Sequence, residues 1–241
     1  MRPVFRGPSP LSKDYANHRD AFPDLASRLG PFCSYCERRI ATVLAVEHIQ
    51  PRSRPAYAHL FGCWDNFLLG CVNCNSTKKA KDVVLADVLL PDRDNTAAAY
   101  EYTLDGKVAI KAGLTPPQVQ LAKNTLALTG LDKHGGNVKD SNEKLVATDR
   151  QSQRMEVWLT ALSSKNDLHS QPTDAFRRQI VETAFGRGFF SIWMKVFVDD
   201  IAIRKFLIEK FSGTAGDCFD PDTTATVTPR PANGLSGGGK M

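Results

Sequence analysis

No stretch of the 241-residue chain runs to 18 apolar residues, so no membrane-spanning helix is expected. The opening MRPVFRGPSPLSKDY lacks the apolar segment of a secretory signal. These two absences point to a cytoplasmic protein in a reducing compartment. There the few cysteines, six in all, are expected to meet on a metal ion rather than in disulfides. The chain also lacks internal repeats, and it contains neither a helix-turn-helix nor a DNA-reading finger. Sequence-specific base readout needs such an element. Composition is that of an ordinary folded protein, 42% hydrophobic and 24% charged.

What is present is concentrated between Cys33 and Lys81. Two Cys-x-x-Cys pairs, Cys33/Cys36 and Cys71/Cys74, stand 34 residues apart. Each such turn aims two sulfurs at one point, and two turns complete a tetrahedron that suits Zn²⁺ at Zn–S distances of about 2.3 Å. With four thiolates the site is closed, so this zinc is structural and supplies folding energy to a segment with little core of its own. Cys63 and Cys218 fall outside the pattern and receive no role.

The same segment holds most of the chain's net charge of +5. Arg38, Arg39, Arg52, Arg54, Lys78, Lys79 and Lys81 face only Glu37, Glu47 and Asp65. Charge alone reads as a solvated surface, because basic patches are common.

Between the cysteine pairs, the apolar run Val43–Val46 reads as a strand that delivers Glu47 and His48 to its end. Adjacent strand residues point to opposite sides. A basic loop from Pro51 to Phe61 follows, then Trp64-Asp-Asn66-Phe-Leu-Leu69, and a helix is expected to open at Cys74-Asn75. The remaining histidines, His18, His59, His134 and His169, read as surface or packing residues.

Strand, histidine, loop, asparagine and helix in this order resemble the ββα-metal module of HNH endonucleases, in the branch stapled by a four-cysteine zinc. The resemblance covers about residues 30–85. The N-terminal half, including Met1-Arg-Pro-Val4 and Leu89-Leu-Pro-Asp-Arg-Asp-Asn95, is similar to the HNH component of Septu-type bacterial defence systems. The resemblance implies that His48 is the general base for hydrolysis of a phosphodiester. It implies that Asn66 holds the loop and the His48 ring. It makes Glu47 and Asn75 the ligands of a catalytic Mg²⁺ or Mn²⁺, with Glu standing where the family often has Asp. An amide oxygen favours such a hard ion. Arg52, Arg54, Lys78, Lys79 and Lys81 would hold backbone phosphates, with Lys78 foremost. The substrate implied is nucleic acid, DNA before RNA, and the partner implied is an ATPase. Two other readings stand beside this one: a non-catalytic zinc-stapled nucleic-acid-binding regulator, and a stand-alone restriction-type nuclease.

Outside the module, residues 15–30 hold a short helix stopped by Gly30. Residues 100–110 read as a hairpin turning at Asp105-Gly106. Helices are expected from Thr115 to Gly130, over 141–163 with Met155, Trp158, Leu159 and Leu162 on the core face, from near Pro172, and from Phe190 to Phe211. The Gly-, Thr- and Pro-rich end reads as a disordered tail. The expected fold class is α+β: an N-terminal arm (1–30), a zinc-stapled ββα-metal module with hairpin (31–112), a mainly α-helical region (113–211) and the tail (212–241).

Overall fold

Local rules account for the module's backbone. In the computed structural model, which describes residues 1–241, β1 (Ala45–His48) pairs antiparallel with β2 (Phe67–Gly70), with Glu47 opposite Leu68 and His48 opposite Phe67. The strand starts two residues later than the apolar run suggests. Val43 is exposed and turns the chain at φ +57°. Helix α2 (Val72–Lys78) follows β2 directly, and α1 (Phe22–Leu29) packs its buried Leu25 and Leu29 nearby. A two-stranded ribbon is marginal alone, so this one relies on what surrounds it.

A short helix α3 (Thr96–Ala99) leads into β3 (Tyr100–Tyr102), which pairs with β4 (Val108–Ile110) through the expected Asp105-Gly106 turn, with Gly106 at φ +73°. Helix α4 (Pro116–Thr129) carries the capping box of Thr115 and Gln118 and ends on Gly130 in the left-handed conformation. Helix α5 (Ser141–Ser170) runs seven residues beyond the expected 163. Trp158 and Leu162 pack against the core as expected, but Met155 and Leu159 are exposed, and the buried face is made by Ala147, Arg150, Arg154, Val157, Ala161 and Leu168. Helix α6 (Asp174–Arg187) is capped by Thr173.

The single helix expected from 190 to 211 is two, α7 (Phe190–Val196) and α8 (Ile201–Lys210). Asp200 breaks it. Its carboxylate accepts from Ile203 N–H, capping α8, and from the Arg177 guanidinium at 2.9 Å.

The C-terminal segment is ordered, against the expectation from its composition. It lies on a buried polar hub, Asp92 to Thr96, every member of which is under 5% exposed. Asn95 donates to the carbonyls of Cys218 and Val227, both at 2.7 Å. Arg230 donates to Pro91 O and Val4 O at 3.0 Å. Phe219, Cys218 and Met241 join a core of 50 buried residues that also includes Val4, Phe32, Trp64 and Trp193. Hydrogen bonds to fixed backbone carbonyls supply what the apolar content lacks.

Glu37, at φ +65° beside the cysteine turn, ties the module to the helices. Its carboxylate accepts from Ser191 N–H and Oγ–H, each at 2.7 Å, and from Tyr102 O–H at 3.2 Å, and it lies 3.2 Å from the Met1 ammonium.

Candidate metal centre and active site

Cys33, Cys36, Cys71 and Cys74 are all buried, and their sulfurs lie within 4.8 Å of one another. Cys36 Sγ and Cys71 Sγ are 3.7 Å apart. A tetrahedral zinc spaces its sulfurs about 3.8 Å apart, so the donor set fits that ion. The surrounding charge fits as well. Four thiolates around Zn²⁺ leave a buried negative charge, and buried guanidiniums stand by it. Arg38 donates to Cys71 Sγ at 3.6 Å. Burial opposes the Arg38 charge, but the Cys36 and Cys71 sulfurs hold its pKa above the ordinary value. Arg154 is buried without any acidic partner, between the carbonyls of Gly106 and Leu131, within the field of Cys36 and Cys74. The four thiols act on one another: Cys36 and Cys71 are pushed down, whereas burial pushes Cys33 up and hydrogen bonds from its neighbours push Cys74 up, so the free set shares protons that a bound metal would displace.

The second cluster lies where β1, β2 and α2 meet. His48 is 8% exposed, and its Nε2 is 3.0 Å from Phe61 O. A carbonyl only accepts, so the proton is on Nε2. The lone pair of the neutral ring is therefore on Nδ1, which has no hydrogen-bond partner in the protein. The ring is held edge-on by Phe67 at 5.2 Å and flanked by Phe61 at 6.1 Å and His18 at 4.8 Å. Burial pushes the His48 pKa down. The Phe61 carbonyl pulls it up, and His18, Arg52 and Lys78 add to the fall. The ring is thus neutral at physiological pH, as a base must be.

Asn66 does not touch the His48 ring. It spans the base of the loop instead: Gln50 N–H donates to Oδ1 at 2.8 Å, and Nδ2 donates to Gln50 O at 3.0 Å and Leu60 O at 3.4 Å. This bridge delivers Phe61 O to His48.

On the other side of β1, Glu47 Oε1 and Asn75 Oδ1 are both buried; Asn75 Oδ1 has no partner, and Glu47 Oε1 meets only Lys78. Unpaired buried oxygens are uncommon and call for an explanation. Gly70 makes room for them. A Cβ there would lie 2.5 Å from Asn75 Oδ1 and 3.0 Å from Glu47 Cβ. A carboxylate and an unpartnered amide oxygen side by side in a glycine-floored niche are hard donors of the kind a divalent ion takes. Burial pushes the Glu47 carboxyl up, and Lys78 pulls against that shift.

Lys78 departs most from the expectation. It is 2% exposed, with Nζ 2.8 Å from Glu47 Oε1 and donating to His48 O at 2.7 Å. Glu47 Oε1 is thus already ion-paired, and of the two niche oxygens only Asn75 Oδ1 is without a partner. Lys78 is therefore turned inward and does not offer itself to a phosphate. Arg54 is paired with Asp82 at 3.2 Å, and Lys81 donates to Ala127 O at 2.8 Å. Arg52, over the Phe61 ring at 5.4 Å, and Lys79 have no acidic partner. Of the five expected phosphate contacts, these two are the free cations.

Residues 33–81 match the HNH endonuclease family. The matched segment, about a fifth of the chain, contains both clusters and supports a nuclease module, and an HNH nuclease implies a nucleic-acid substrate. No curated protein matches the chain. No helix is long and apolar enough to cross a membrane. His18, expected to be a surface or packing residue, packs its ring against His48 and Phe61 from outside the matched segment.

Proposed function

We propose that the protein is a metal-dependent HNH endonuclease that hydrolyses phosphodiester bonds. The observation that carries this is the paired arrangement on β1. His48 is tautomerically fixed by Phe61 O, and the buried oxygens of Glu47 and Asn75 lie over Gly70. Held by those oxygens, Mg²⁺ or Mn²⁺ would supply stabilisation of charge on the phosphate and the leaving oxygen. His48 Nδ1 takes the proton of the attacking water, and the charge that develops on the ring is met by the Phe61 carbonyl. Arg52 and Lys79 hold neighbouring phosphates. The four cysteines hold zinc and take no part in the chemistry.

The likeness to Septu-type nucleases extends this reading to an effector of bacterial defence, governed by an ATPase partner. Exposed apolar side chains available to such a partner include Leu159 and Met155 on α5 and Val198 and Ile201 at the α7–α8 break. The test is cleavage of plasmid DNA and of RNA in Mg²⁺ or Mn²⁺, with and without the neighbouring ATPase, beside His48→Ala. Equal behaviour of wild type and His48→Ala with the partner present removes the catalytic assignment.

The ion pair of Lys78 with Glu47 favours a second reading, in which the niche is already neutralised and the module binds nucleic acid without cutting it. Calorimetric titration with Mn²⁺ separates the two. Binding that disappears in Glu47→Gln supports the nuclease, and no binding supports the regulator.

A further inference from the structure

Two nitrogens beside the base are unused by the protein. His18 opens a 3-10 turn, His18–Ala21, capped by Asn17 Oδ1 on Arg19 N–H. Its ring centroid is 4.8 Å from that of His48 and 5.4 Å from that of Phe61, which it meets edge-on at 74°. The placement is firm. Tyr15 N–H donates to Gly62 O at 3.0 Å. The approach is so close that a Cβ on Gly62 would lie 2.2 Å from Tyr15 O, so glycine is required there. Tyr15 also stacks on Trp64 at 6.1 Å and donates to Asp24 at 2.7 Å. The N-terminal segment is thus strapped to the residue that follows Phe61, the residue whose carbonyl holds His48.

Within that firm placement, His18 Nδ1 is sealed from solvent without a hydrogen-bond partner, and Nε2 makes no hydrogen bond within the protein either. A phenylalanine would fill the same slot against two aromatic rings without burying an unpaired nitrogen. The charged groups around the ring are Arg52, Arg19 and Asp20. Arg52 and Arg19 outnumber Asp20 there, so the surroundings favour an anion.

We propose that His18 is part of the catalytic site: a second imidazole, brought from outside the family-matched segment, that contacts a phosphate oxygen of the nucleic acid beside His48. The inference rests on the nuclease reading of His48. No bond is made or broken by His18. It donates a hydrogen bond to the substrate oxyanion through Nε2, the ring nitrogen that is not sealed.

The experiment compares His18→Phe, which keeps the ring contact and removes both nitrogens, with His18→Gln, which keeps an N–H donor. Affinity for a labelled oligonucleotide is measured by anisotropy in the full-length His48→Ala background, and cleavage in the His48 background. Thermal melting and zinc content report folding. His18→Phe is expected to melt at or above the wild-type temperature and to lose about tenfold in affinity and in kcat/KM, as for one charge-assisted hydrogen bond. His18→Gln is expected to recover part of both. Undiminished affinity and cleavage in His18→Phe overturn the proposal, since the ring then serves only to pack. The nuclease reading fails separately, through His48→Ala that cuts like wild type. Where turnover awaits a partner, the affinity comparison decides alone.

Discussion

Lys78 Nζ lies 2.8 Å from Glu47 Oε1, inside the niche where the nuclease reading calls for a divalent ion. The ammonium and the ion therefore compete for one carboxylate. Lys78→Met leaves Glu47 buried and uncompensated, which is expected to lower stability by about 3 kcal/mol without added metal. Mn²⁺ then restores more melting temperature to the variant than it adds to wild type. Equal metal-induced shifts in the two proteins would show that the ion does not reach Glu47.

Gly70→Ala should separate activity from stability. The backbone of a strand accepts alanine, but the new methyl would lie 2.5 Å from Asn75 Oδ1. The amide, at the end of a flexible side chain, gives way first. Cleavage is expected to fall about a hundredfold, in keeping with the sensitivity of catalysis to displacements near 1 Å. The melting temperature changes by only a few degrees. Plasmid cleavage beside a thermal melt checks both; unaltered cleavage would remove Asn75 from the site.

Purified protein is expected to hold one zinc per chain by elemental analysis. Cys71→Ser, or a strong chelator, should release it and unfold the β1–β2 ribbon with α2, since binding energy here is folding energy. Circular dichroism follows the loss of structure. A fully folded, metal-free wild type would contradict the staple.

Asp92 carries a pH dependence unrelated to either metal. Burial acts to raise its pKa, but Arg6, at 2.7 Å, and Arg93 outweigh it and hold the carboxyl below its ordinary value of 3.8. A depressed pKa contributes stability above the unfolded value, and that contribution is lost as pH falls through the folded one. Asp92→Asn should therefore cost about 3–5 kcal/mol at pH 7. The gap from wild type should narrow below about pH 3.8. Denaturant melts at pH 7 and pH 3 measure it, and a gap independent of pH would refute the ion-pair account.

Legibility from sequence followed the range of the interactions. The zinc turns, the Asp105-Gly106 hairpin and the Thr115 cap with its Gly130 stop depend on neighbours within a few residues, and their spacing carries the information. The inward rotation of Lys78 depends on a strand 30 residues away, which helical spacing from Asn75 does not encode. The buried face of α5 is only partly apolar, because two of its core positions are arginines held by carbonyls at Gly106, Gly130 and Leu131, so apolar spacing marks Trp158 and Leu162 but not the rest. Composition also misled at the C-terminal segment, whose order comes from Asn95 and Arg230 bonding across the whole length of the chain. His18 had no motif because its role depends on a backbone contact between Tyr15 and Gly62.

The β1–β2 ribbon, four residues per strand, has a consequence for how activity should be counted. A ribbon this small has no partly formed state of its own to fall back on, and its cysteines either close around zinc or do not. Stripping half the zinc from a preparation would then halve the number of working molecules and leave the turnover of each survivor unchanged. Active-site titration against bound zinc should give a straight line through the origin.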